Sequence, residues 1–101
     1  MRSDFEETLC EIVDESLKAI FTEAATRIIY QHLAMNYDLQ PENIAENVEV
    51  FEEGLRAFLS SGAQVIESII IKRLYQHYNL DFENKEGFAF TDYVKELKQK
   101  I

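Results

Sequence analysis

Apolar residues at Phe5, Leu9, Ile12, Val13, Leu17, Ile20 and Phe21 follow one another at steps of four, three and one. That rhythm draws a stripe down one side of an α-helix. Ser3 and Glu6 stand at capping-box spacing at its start, where each side chain can satisfy the other residue's free amide. The pattern predicts a helix over 4–21, with Glu6, Glu7, Glu11, Asp14 and Glu15 on the outer face. Thr22 is placed to cap a second helix over 23–37, with Ala25, Ile28, Ile29, Leu33 and Tyr37 inward. Asp38-Leu39-Gln40-Pro41 ends it, because proline disfavours helical backbone in the residue before it and suits the first turn of a new segment. The stretch 41–44 therefore predicts a turn or one short helical turn.

Asn47 is placed to cap a third helix over 48–59, with Val48, Phe51, Leu55, Phe58 and Leu59 on its apolar side. Gly54 sits inside it, at a cost of about 1 kcal/mol relative to alanine. Either a close helix crossing or simple tolerance accounts for that cost. Ser60 and Ser61 stop this helix, Ser61 and Gln64 repeat the capping-box spacing, and Gly62 gives the turn freedom. A fourth helix over 62–79 places Ala63, Ile66, Ile70, Leu74 and Tyr78 on one face, widened by Val65, Ile69 and the stem of Arg73. Successive side chains on a helix point about 100° apart. Ile69, Ile70 and Ile71 thus require cover around most of this helix, which makes it the central one. Asn79 tolerates the left-handed backbone common after helix ends. A polar loop over 81–87 follows, then Phe88-Ala89-Phe90, whose alternation permits a short extended stretch. Thr91 is placed to cap a last helix over 92–100, with Tyr93 or Val94, Leu97 and Ile101 inward and Lys95, Lys98 and Lys100 outward. The expected fold is a single all-α domain over 1–101, a compact five-helix bundle around the central helix.

The chain also resembles itself. Phe5 to Leu9 (FEETL) recurs as Phe51 to Leu55 (FEEGL) and more loosely as Phe90 to Val94 (FTDYV). Tyr30-Gln31-His32 recurs as Tyr75-Gln76-His77, and Leu33, Tyr37 and Leu39 match Leu74, Tyr78 and Leu80 at the same spacing. These suggest a two-unit repeat, each unit a helix opened by Phe followed by a longer helix ending in Tyr. Chance recurrence among amphipathic helices is the competing account.

Charge narrows the functional classes. Nineteen acidic residues face ten basic ones, a formal charge of −9, and all of that excess lies in residues 1–60. Such a surface opposes broad phosphate-backbone binding and favours solubility. A lone Cys10 fits a reducing, cytoplasmic setting. No apolar run reaches membrane-span length, and the N-terminal MRSDFEE has no signal-peptide core.

The search for chemistry finds no zinc-ligand spacing, phosphate-binding glycine loop, nucleophile elbow or calcium loop. His32 and His77 read as polar residues at the domain edge rather than ligands. The paired acids Glu6-Glu7, Asp14-Glu15 and Glu52-Glu53 read as solvent-facing, where nothing would raise a carboxyl pKa for acid–base work. Glu67, the only acid of the central helix, is expected either to pair with Arg27 or Arg73 or to mark that helix's open edge. No catalytic residue, metal or cofactor is expected. Tyr30, His32, Tyr37, Lys72, Arg73, Tyr75, His77 and Tyr78 gather toward the C-terminal parts of the second and fourth helices. Aromatic side chains and arginine are enriched at protein interfaces, so these residues are the candidate partner or homodimer surface, with core-edge packing the alternative.

The segments FEE-x-L, FLSSGAQVIESIIIKRLYQHYNL and EGFAFTDYVKELK together resemble a small archaeal family, the all-helical Nitrosopumilus-type output domains. The resemblance is carried most specifically by Gly62-Ala63 with Glu67 and by Phe88-x-Phe90, and departs from the family pattern at Leu59. It implies an output or interaction role in signal transduction or transcription and supplies no catalytic residue. The leading expectation is a non-catalytic interaction domain working through protein association, including self-association. The alternatives are a DNA-binding regulator with a helix-turn-helix over 48–79 and a small-molecule sensor with a pocket between the helices.

Overall fold

A computed structural model describes residues 3–101; Met1 and Arg2, which open the stretch read as lacking a leader, lie outside them. Five α-helices and one 3₁₀ segment make up the regular structure, with no strand among the described residues: α1 (Asp4–Ile20), α2 (Glu23–Tyr37), the 3₁₀ segment Pro41–Glu46, α3 (Val48–Leu59), α4 (Gly62–His77) and α5 (Phe90–Lys100). The all-α bundle expected from the apolar rhythm is the fold observed. Two of the expected caps form as drawn. The Ser3 hydroxyl accepts the Glu6 amide while Glu6 accepts the Ser3 amide, and the Thr22 hydroxyl accepts the Ala25 amide at 3.0 Å.

The core is one cluster. Phe5, Leu9, Val13 and Leu17 of α1 meet Ile66, Ile70, Ile71 and Leu74 of α4, with Ile29, Leu33, Phe51, Leu55, Phe90 and Leu97 completing it. α4 packs on α1, α3 and α5 and so occupies the centre of the bundle, while α2 lies mainly on α3. Each opening helix of the suggested repeat thus covers the long helix of the other unit, α1 on α4 and α2 on α3. The long helices also leave alike: Asp38 and Asn79 both take left-handed backbone, at φ 52° and 57°, and the amides of Leu39 and Leu80 reach back to the carbonyls of Leu33 and Tyr75. The units differ in their exit leucines, Leu39 being buried and Leu80 exposed.

Gly54 marks a close crossing. A β-carbon there would lie 2.4 Å from Leu33 Cδ2 and 3.3 Å from Tyr37 Cδ2, and Leu33 is fully buried in the core. Close approach, rather than tolerance, explains this glycine.

Several local expectations are corrected. Phe88-Ala89-Phe90 forms no strand; Phe90 already opens α5. The helix starts early because the Asp92 carboxylate accepts the Ala89 amide at 2.8 Å, which makes Ala89, not Thr91, the capping position. Ser61 gives no side-chain cap to α4. The left-handed strain of the α3–α4 turn falls on Ser60, at φ 52° and ψ −130°, rather than on Gly62. α4 ends at His77, two residues before 79, because Asn79 turns left-handed. Five side chains expected inward are open to solvent: Ile20, Ile28, Phe58, Val65 and Ile101. The cover on α4 is also incomplete. Ile70 and Ile71 are buried, but Ile69 is only half-buried and Val65 beside it is exposed.

Candidate functional site

The aromatic and basic residues expected to form one surface are divided among three neighbourhoods. Tyr30 turns toward α1 and donates its hydroxyl to Asp14 Oδ1 at 2.8 Å; burial, reinforced by that carboxylate, raises the phenol pKa. His32 turns toward α3, with Nε2 3.2 Å from the Gly54 carbonyl and its ring against Tyr37 and Phe58. Asn36 donates to His32 Nδ1 at 3.1 Å, so Nε2 carries the proton and donates to Gly54. On α4, Tyr75 is buried against Phe82, Tyr78 stacks on Phe5 of α1, and His77 lies edge-on to Tyr78. Lys72 sits over the Phe82 ring, 6.0 Å from its centroid, while Arg73 is exposed. No hydrogen bond or ring pair joins the α2 members to the α4 members among the described residues.

A different constellation lies where α3, α4 and the start of α5 meet. Glu52 is buried rather than solvent-facing. One of its oxygens accepts from both the Thr91 amide at 2.9 Å and the Thr91 hydroxyl at 2.8 Å. The other accepts from Arg56 Nη2 at 2.8 Å. Thr91 is the second residue of α5, and its amide is one of the donors that no helix can satisfy internally. A carboxylate supplied from α3 satisfies it and faces the positive end of α5. Glu52 therefore fastens α5 to α3.

Glu67 is 7% exposed, and its Oε2 is fully buried with no hydrogen-bond partner. Neither expected role holds: it is not an open edge, and its charged neighbours are Glu52 and Arg56 rather than Arg27 or Arg73. Burial, together with the charge of Glu52 and against the pull of Arg56, pushes its carboxyl pKa up to about 7. The sequence held a signal for both acids. Glu67 lies four residues after Ala63 and three before Ile70, and Glu52 four after Val48 and three before Leu55, so both occupy stripe positions.

These side chains line a cleft of about 530 Å³. Its polar lining is Glu52, Arg56, Gln64, Glu67, Ser68 and Asn84, and its apolar lining includes Ile71, Phe82, Phe88 and Phe90. The loop over 81–89 forms one side and is held by Tyr93, whose hydroxyl accepts the Lys85 amide at 2.8 Å. The Phe82 and Phe88 rings both pack against Tyr93. Lys85 forms an ion pair with Glu96 of α5, which closes the loop onto that helix. The arrangement suits recognition: Glu52 is committed to structure, and Glu67 is the acid left for a ligand. No group of three or more metal-ligating side chains converges among the described residues, and no helix there is long and apolar enough to cross a membrane. No family model, characterised protein or solved structure matches the chain.

Proposed function

We propose that this chain is a non-catalytic helical domain that acts by association with protein surfaces, a second copy of itself included, as a cytoplasmic output or regulatory unit of the archaeal kind it resembles. The observation that carries this reading is the outer face of α2. Ala24, Ile28, Gln31 and Met35 fall at helical spacing on one side and all are exposed. Ile28 is 54% and Met35 83% exposed. Methionine at such a surface adapts to varied partners, and Ile28 and Met35 are two large apolar side chains exposed two turns apart on one face of α2.

Charge favours the same helix. α1 carries six carboxylates against one lysine, whereas α2 carries one acid, Glu23, and one base, Arg27. Two copies meeting through α2 would therefore face less like-charge repulsion than copies meeting through α1. The meeting would be isologous, each α2 lying against the other.

Sedimentation velocity over a wide micromolar range tests this. A concentration-dependent shift to a dimer is expected, strengthened by salt as the acidic field is screened and abolished in the Ile28→Glu/Met35→Glu variant. A chain that stays monomeric throughout, or a dimer indifferent to both substitutions, would overturn the assignment to α2.

A further inference from the structure

A carboxyl oxygen without a hydrogen-bond partner is costly to bury, the more so when ionised, yet the core holds one on Glu67, a residue of the cleft lining. Every oxygen of Glu52 is engaged, by Thr91 and Arg56, and the Arg56 guanidinium is thereby held at the rim with its side chain largely exposed. Glu67 Oε2 is left with no donor. Facing the two acids are Ile71, Phe82 and Phe88, an apolar surface long enough to hold a ring or short alkyl chain. The volume, about 530 Å³, lies in the range of small-molecule pockets, which are mostly apolar with a few fixed polar groups.

We propose that this cleft binds a small organic ammonium compound, its cationic nitrogen donating to Glu67 and its apolar body lying against Phe82 and Phe88. This goes beyond association through α2 and does not depend on it, since α2 does not line the cleft. The charge pattern selects the ligand class. Glu52 is already paired with Arg56, so the uncompensated charge of the polar lining is that of Glu67 once it ionises. A carboxylate ligand would add to that charge, a neutral one would leave it unmet, and a cation supplies both the donor and the missing charge. Mono- and divalent metal ions fit less well, because Glu67 stands alone as an available ligand among aromatic rings.

The titratable and charged groups that face Glu67 are Glu52 and Arg56 of α3, with the Tyr93 phenol of α5 lining the same space. Because the Glu67 carboxyl holds its proton up to about pH 7, the arriving ammonium must displace that proton to solvent. Binding is then linked to pH, weakening about tenfold between about pH 8 and about pH 6.

The probe is 2-phenylethylammonium, followed by amide chemical shifts of the full chain at about pH 8 and about pH 6. Saturable shifts centred on Glu67, Ser68, Phe82 and Phe88 are expected, with affinity about tenfold higher at the upper pH. Glu67→Gln should keep the helical circular dichroism, weaken binding at least about tenfold and remove the pH difference. Absence of saturable shifts at millimolar probe would overturn the proposal. So would equal binding of the uncharged analogue 2-phenylethanol, or undiminished binding to the Glu67→Gln protein.

Discussion

Replacing Glu67 by glutamine should make the domain more stable, by an amount that grows with pH. In the unfolded chain this carboxyl titrates near 4.5; in the fold, burial and the nearby Glu52 charge move it to about 7. Between those values the folded state binds the proton more tightly than the unfolded state. The stability associated with the protonated group is therefore complete below about pH 4.5, declines as pH rises through the window, and is lost above about pH 7. At 1.36 kcal/mol per unit, the displacement corresponds to about 3 kcal/mol of penalty for the ionised form above the window. Glutamine has the shape of the protonated acid and never ionises, so it escapes that penalty. Thermal unfolding of both proteins across about pH 4 to pH 8 reads the difference. The two should melt together at the acid end, and at the upper end the variant should melt about 10 to 20 °C higher. General acid–base effects of the other carboxylates cancel in the comparison. Melting curves displaced equally at every pH, or a variant less stable at the upper end, would refute the account of Glu67.

Three further substitutions probe the scaffold around it. Glu52→Ala removes the acceptor for the Thr91 amide and hydroxyl and for Arg56; a loss of about 2 kcal/mol is expected, with amide exchange of α5 accelerating before that of α1. Gly54→Ala gains about 1 kcal/mol of helix propensity but forces a contact with buried Leu33. Overpacking should win and leave the protein about 1 kcal/mol less stable by urea denaturation. Ser60→Gly relieves backbone strain at φ 52° and ψ −130° and should raise stability by about 1 kcal/mol in the same assay.

The helices were legible because each buries a long stripe whose period is hard to mistake. Ser3 with Glu6 and Thr22 with Ala25 cap as drawn because capping needs only residues a turn apart. What the sequence hid depends on elements meeting across the fold. Glu52 and Glu67 occupy stripe positions, but a carboxylate there reads equally as a frayed edge until α5 arrives to bury it. The start of α5 was masked by Phe88-Ala89-Phe90, whose alternation resembles a strand; the Asp92 carboxylate three residues beyond Ala89 decides it. Ile28 belongs to the apolar rhythm of α2 but falls outside its contact with α3, since the close crossing at Gly54 brings Leu33 and Tyr37 inward instead. The tyrosine-rich cluster failed to assemble as one surface for a related reason. α2 and α4 each face other helices, so similar residues at similar places turn toward different neighbours.

The burial of Glu67 beside the cleft is tested most directly by its ionisation. Carbon-13 labelling of glutamate side chains and an NMR titration of the Glu67 carboxyl measure it without mutation or ligand. A midpoint of about 7 is predicted; a midpoint near 4.5, the ordinary value for a solvated glutamate, would contradict the buried, unpartnered carboxyl on which the site is built.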